Sequence, residues 1–182
     1  MNQIIAALVD DKPGVLNRIA SVFRRRGFNI ESLTVGVTER PGISRMTIVA
    51  DTDEVGAERM RLYLYKLVNV IQVENLTKVS KMCRNLAMIK VKATSEERMQ
   101  IMQLAEVFRA RVVDVAHESL IIEVTGDDSK IDSLVEVLMP FGILEMVRTG
   151  MVAMERGAKS MADGLEEAML QSYLNVEEAA IA

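Results

Sequence analysis

One succession of elements runs through this chain twice, and a repeat of that length decides the architecture before any single residue is weighed. In the first pass Gln3 to Val9 is apolar enough for a strand buried on both faces, and Asp10-Asp11-Lys12-Pro13-Gly14 breaks it. Val15, Leu16, Ile19, Val22 and Phe23 then recur at helical spacing, with Pro13 suited to a first turn and Gly27 to the residue past the end. Asn29 to Val37 reads as a second strand, Arg40-Pro41-Gly42 as a turn and Arg45 to Ala50 as a third strand. Asp53 or a neighbour caps a second helix with Ala57, Met60, Leu64 and Leu67 on one stripe, and Val70 to Val73 opens a fourth strand. The second pass offers a strand at Arg84 to Ala93, a helix at Ser95 to Phe108, and strands at Arg111 to Ala116 and Leu120 to Gly126. A helix from Asp127 to Met139, stopped by Pro140 and Gly142, and a strand from Ile143 to Val152 complete it.

Residue identity supports the repeat. Ala20-Ser21-Val22-Phe23-Arg24-Arg25-Arg26 aligns with Ala105-Glu106-Val107-Phe108-Arg109-Ala110-Arg111 at an offset of 85, and Asp53 pairs with Asp127 at an offset of 74. The eleven-residue difference is assigned to the first hairpin, around Arg40-Pro41-Gly42. Each pass reads β-α-β-β-α-β, so the fold class is α+β: two tandem ferredoxin-like domains, at residues 1–77 and 83–157. Residues 158–182 form a tail. In it Leu165, Met169, Ser172 and Val176 lie along one helical face, which suits either a frayed end or a helix that docks on a partner.

Composition removes several functions. The 182 residues are 49% apolar and 26% charged, enough to bury a core and stay soluble. The longest unbroken apolar run, Ile4 to Val9, is far short of the roughly 20 residues that span a bilayer. No basic stretch precedes it and Asp10-Asp11 follows it, so it does not read as a secretory signal. Cys83 is the only cysteine, which excludes an internal disulfide and fits a reducing compartment; a cytoplasmic protein with no membrane partner is expected. His117 is the only histidine, so neither a two-imidazole site nor a Cys/His zinc site can form within the chain. A Ser-His-Asp triad would have to use His117, which stands in a short β-like run with no nucleophile elbow and reads as a surface residue at a strand end. A net charge of −4, no Trp and 4% aromatics argue against nucleic acid. Arg24-Arg25-Arg26 reads as solvated charge at a helix end, and the 13 methionines as filler of irregular core gaps or as partner contacts.

The loop Asp10-Asp11-Lys12-Pro13-Gly14-Val15-Leu16 places a strand end, a glycine and a helix start together. Helix-start N–H groups are unpaired and partly positive, so they can hold a carboxylate. Glycine removes the Cβ that would block a ligand. Asp10 or Asp11 can accept from an ammonium, and Val15, Leu16 and Ile30 can line an apolar pocket. Those three features describe a branched-chain amino acid. A capped helix after a tight turn accounts for the same residues.

Asp11-Lys12-Pro13-Gly14-Val15-Leu16 after a first strand, in a β-α-β-β-α-β unit, resembles the ACT domain, a family that binds amino acids as regulatory ligands. Arg26 to Val35, Ser44-Arg45-Met46-Thr47-Ile48, Lys66-Leu67-Val68 with Val70, Phe108-Arg109 and Val147-Arg148-Thr149-Gly150 extend the likeness over roughly residues 1–157. Together these runs resemble the small, regulatory subunits of acetolactate (acetohydroxyacid) synthase. The resemblance implies a chain without catalytic residues, metal or cofactor of its own. Thiamine diphosphate, Mg²⁺ and FAD belong to the catalytic (large) subunit it would activate, and the chain would confer feedback inhibition by valine, in some members by leucine or isoleucine. It further implies a homodimer through paired ACT domains. Carried over by position, the ligand site comprises Asp11, Lys12, Pro13, Gly14, Val15 and Leu16 of one chain with Asn29 and Ile30 of the other. Many members have Asn where this chain has Asp11. The second repeat has Ser95-Glu96-Glu97-Arg98-Met99 in place of the Pro-Gly loop, so no second valine site is expected there.

Three other functions compete. An acylphosphatase needs an Arg in its phosphate loop, where this chain offers Lys12. An RNA-binding domain needs aromatics on Met46 to Ala50 and Leu120 to Val124, which carry none. An ACT-domain amino-acid sensor without an enzyme partner is the remaining alternative. The first hairpin, if longer than the fold requires, is a candidate contact with the catalytic subunit through Arg40.

Overall fold

The computed structural model describes residues 2–163. They divide into two units: the residues up to Met82 together with those from Ala153, and Cys83–Val152. The first unit runs β1 (Asn2–Asp10), α1 (Val15–Arg26), β2 (Ile30–Val37), β3 (Ile43–Asp51), α2 (Glu54–Tyr65) and β4 (Val70–Asn75). Its sheet is antiparallel in the order β2-β3-β1-β4. Asn2 stands opposite Asp51 and Asp10 opposite Ile43; on the other side of β3, Ile30 pairs with Ala50 and Val37 with Ser44.

The two-residue period decides what each face meets. Ile5, Ala7 and Val9 join Met46, Ile48 and Ala50 under the helices, against Val15, Ile19 and Phe23 of α1 and Ala57, Met60 and Leu64 of α2. The alternate residues Ala6, Leu8, Thr47 and Val49 are also buried. Across that second face the chain returns after Ala153. Arg45 Nη2 donates to the Ala153 carbonyl at 2.8 Å, and Met161 is buried. Burial on both faces is why β1 reads as an unbroken apolar run rather than an alternating one.

The helix ends follow local chemistry. Asp53 caps α2 by accepting from the Gly56 N–H at 2.7 Å. Gly27, left-handed at φ +72°, ends α1, and the Phe28 N–H reaches back to the Phe23 carbonyl at 3.1 Å. Pro13 lies outside the helix it was expected to open, because Gly14 occupies the N-cap and α1 begins at Val15.

The second unit repeats the order with β5 (Lys81–Lys92), α3 (Arg98–Val107), β6 (Arg111–Val115), β7 (Ser119–Gly126), α4 (Asp128–Leu138), a 3-10 turn at Met139–Phe141 and β8 (Ile143–Arg148). Its strand order is β6-β7-β5-β8, over a core that includes Ile89, Ile101, Leu120, Ile122, Ile131 and Leu134. The last expected strand is two: Thr149 turns aside, its N–H on the Leu86 carbonyl at 2.9 Å, and β9 (Val152–Glu155) pairs with β5. The segment from Ala153 groups with the first unit, where the sequence had placed residues up to 157 in the second. The tail positions Leu165, Met169, Ser172 and Val176 lie outside the described residues.

The identity alignment slips at one place. Arg24 to Arg26 form the last turn of α1, whereas Arg109 sits at φ +49° past the end of α3 and Arg111 opens β6. Measured by elements, the first hairpin gains three residues in β2, one in β3 and only two in its turn. It is a longer pair of strands with a five-residue tip at 38–42, not the eleven-residue loop excess the sequence suggested. That tip is closed by the Ile43 N–H on the Arg40 carbonyl at 3.2 Å across Pro41-Gly42, with Gly42 at φ +79°, a type II arrangement.

Candidate functional site

The segment between β1 and α1 is tied down at three points. The Asp10 N–H donates to the Asn69 carbonyl at 2.9 Å, the Asp11 N–H to the Gly42 carbonyl at 2.8 Å, and the Val15 N–H to the Lys12 carbonyl at 3.3 Å. Asp10, not Asp11, carries the polar network. Its carboxylate accepts from Lys12 Nζ at 2.9 Å and Asn69 Nδ2 at 3.0 Å, and Asn69 Oδ1 accepts from Arg18 at 2.7 Å. Those bonds, the one from Lys12 foremost, hold the Asp10 carboxyl below the ordinary aspartate value of 3.8. Asp11, Lys12 and Pro13 are exposed.

Gly14 adopts φ +86°, ψ −8°, and a Cβ built there would have nothing within 4 Å. No side chain caps α1. The first turn of this helix therefore presents N–H groups beside an open space, an arrangement that favours an anion.

The second unit fills the turn that leads into the corresponding helix, which like α1 has no side-chain cap at its own N-terminus. Thr94 Oγ1 accepts from the Glu97 N–H at 3.3 Å, and the Glu97 carboxylate accepts from the Thr94 N–H at 3.2 Å and from the Thr94 hydroxyl at 2.7 Å. This reciprocal pair satisfies the Thr94 and Glu97 N–H groups within that turn, and the Thr94 bonds hold the Glu97 carboxyl low.

The remaining expected residues separate. Val15 is 5% exposed and belongs to the core, while Leu16 is 47% exposed. Ile30 is half-buried against the core and Asn29 is exposed. Ile30 pairs with Ala50 and Ala50 with Gln3, seven residues along β1 from Asp10. At roughly 3.3 Å per residue, that is about 23 Å. One chain thus holds Asp11–Leu16 at one end of its sheet and Asn29–Ile30 at the other. Between them runs β2, the outermost strand, whose outer edge no strand pairs with among the described residues. It carries a single charge, Glu31, and exposes Val35 and Val37, so the edge has little to prevent another strand from adding.

Asn69, Arg18 and Gly42 escaped the sequence reading. Each touches the loop from a distant part of the chain, and no local pattern announces such a contact; only the Pro-Gly turn signal marked Gly42. His117 is exposed in the β6–β7 turn. No three His, Cys, Asp or Glu side chains group to hold a metal ion among the described residues. No helix there is long and apolar enough to cross a membrane.

Two known families match. The one described as the AHAS small subunit-like ACT domain covers residues 5–72, and the one described as the small subunit of acetolactate synthase covers 84–157. A probable acetolactate synthase small subunit of Methanothermobacter thermautotrophicus is 52% identical over 159 residues, 87% of this chain and 95% of that one. The acetolactate synthase small subunit of Mycobacterium leprae is 48% identical over 157 residues, 86% of this chain and 93% of that one. The crystal structure of the small subunit from Thermotoga maritima superposes with a TM-score of 0.81 at 40% identity, covering 87% of this chain and 99% of that one.

Proposed function

The chain belongs to the family of acetolactate synthase small subunits, and on that premise we propose that it activates a thiamine-diphosphate catalytic subunit and makes it sensitive to valine. In this reading the chain performs no chemistry. Thiamine diphosphate, Mg²⁺ and FAD sit in the large subunit, and what this chain contributes is a ligand site coupled to that partner in the cytoplasm.

The observation that carries the reading is the separation of the two site halves along a sheet with an open edge. If two copies pair antiparallel through β2, the start of one β2 lies beside the end of the other. Val37, at the end of β2, pairs with Ser44, and Ser44 with Val9, next to the Asp11–Leu16 loop. Pairing of this kind brings Asn29 and Ile30 of one copy toward Gly14 of its mate, and makes two equivalent sites per dimer. The helix-start N–H groups would take the valine carboxylate, Leu16 and Ile30 would border its side chain, and Asp11 or Asn29 would accept from its ammonium. The second unit, with Ser95-Glu96-Glu97-Arg98 in place of the Pro-Gly loop and Glu97 where Gly14 stands before α1, would have no such site.

The test is reconstitution with the large subunit and titration of valine. Gly14→Asp puts a negative side chain where the carboxylate would lie, at a φ that Asp tolerates for about 1 kcal/mol. Activation should persist and valine inhibition should vanish; an unchanged inhibition curve would remove Gly14 from the site. Failure of the wild type to raise large-subunit activity would favour an amino-acid sensor without an enzyme partner.

A further inference from the structure

Positive charge collects on one layer of the first unit. α1 carries four arginines and no acid; α2, with its caps Asp53 and Lys66, carries Arg59, Arg61 and Lys66 against Asp53, Glu54 and Glu58. Seven cations against three carboxylates give +4, in a chain whose total is −4. All three carboxylates are already engaged, Asp53 by the Gly56 N–H at 2.7 Å, Glu58 by Arg61 at 2.6 and 2.9 Å and Glu54 by Lys78 at 2.6 Å. Among the described residues none of Arg24, Arg25, Arg26, Arg59 and Lys66 has a carboxylate within the 4.0 Å of an ion pair.

Two of these cations share one ring. The Arg26 guanidinium lies 4.3 Å from the Tyr63 centroid, and Lys66 Nζ lies 5.8 Å from it. Two like charges on one ring leave a net positive site that a carboxylate from outside would complement. Along the outward side of α2, Val55 and Leu62 alternate with Arg59 and Lys66 at helical spacing, and both apolar side chains are about half exposed. The layer is an apolar stripe bordered by unpaired cations.

We propose that this two-helix layer is the docking face for the catalytic subunit, and that the surface it meets there is acidic around an apolar centre. The inference rests on the function proposed above. The other large surfaces of the unit are spoken for: the opposite sheet face is buried, and the β2 edge is the one that pairs with a second copy. Nucleic acid fits the layer poorly, because Tyr63 and Tyr65 each already carry a cation on the ring.

The experiment uses the full chain and the large subunit, measuring affinity and activation between about 50 and about 300 mM salt. Arg25→Glu/Arg59→Glu should weaken association by about tenfold or more at low salt, and the milder Arg25→Gln/Arg59→Gln by less. The wild-type affinity should fall with salt more steeply than either variant's. Valine binding to the dimer should not move, and the melting temperature should fall only by the small amount an acid in the last turn of α1 costs, less still for the Gln pair, which separates lost docking from lost fold. Wild-type behaviour of both variants at every salt overturns the proposal and moves the contact off this layer, to the hairpin tip at 38–42 or the second unit. A rise in affinity on removing residues 164–182, abolished by the charge reversals, would give the layer to the acidic tail and overturn it also. If the wild type itself does not bind the large subunit, the proposed function fails first.

Discussion

Asp10 and Asp11 stand side by side in the sequence, and only the fold separates their roles. Asp10 is fixed by Lys12 and Asn69; Asp11 is exposed and holds the loop through its backbone. Because the Asp10 carboxyl titrates below 3.8 in the folded chain, its contribution is complete above that value and is lost as the pH falls through its lowered folded pKa. Asp10→Asn should therefore lower the thermal midpoint at pH 6 to 8, and the gap to wild type should close below about pH 3.8. A gap constant with pH would mean that the network, and not the charge, stabilises the loop. Val15 and Leu16 carry a second lesson. Neighbours on a helix point about 100° apart, so the same apolar pattern sends Val15 into the core and leaves Leu16 about half exposed.

Among the elements, α1 and α3 differ in the turn that precedes them: before α3, Thr94 and Glu97 bond each other reciprocally, a pairing that the sequence reading missed. Thr94→Ala should cost the second unit about 1 kcal/mol in denaturant unfolding while leaving valine binding unchanged, because α3 has no open glycine at its start. Strand and helix existence was legible throughout, since alternation and helical spacing are local. The break before β9 and the true length of the hairpin tip were not. Thr149 leaves its strand for a hydrogen bond to Leu86, and the hairpin's extra residues lengthen its strands. Both outcomes depend on partners far along the chain. With only two additional residues at the tip, shortening 38–42 should disturb the valine response through the Gly42–Asp11 bond more than it disturbs activation. Unaltered inhibition by valine would show that bond to be dispensable.

At the scale of the whole molecule, the repeat made the two-unit plan readable, while the return of the chain from Ala153 to the first unit was hidden, because nothing in that short run names its destination. Asp11–Leu16 and Asn29–Ile30 were legible as residue types, but their lying at opposite ends of one sheet was not, because that distance is set by strand pairings far along the chain. Asn29→Ala should weaken valine binding by roughly 1–3 kcal/mol, the cost of leaving a buried ligand group unpaired. The separation of the halves also has a genetic consequence. If each site spans two copies as proposed, chains carrying Gly14→Asp and chains carrying Asn29→Ala are each damaged at every site of their own dimers. In a mixed dimer both changes fall on one site and the other is untouched. Random exchange of subunits between the two mutant proteins should then restore valine binding at full affinity to about a quarter of all sites, detectable by calorimetry. No recovery on mixing would place both halves of each site in a single chain. Cells that carry both alleles would regain part of a feedback that neither allele supports alone.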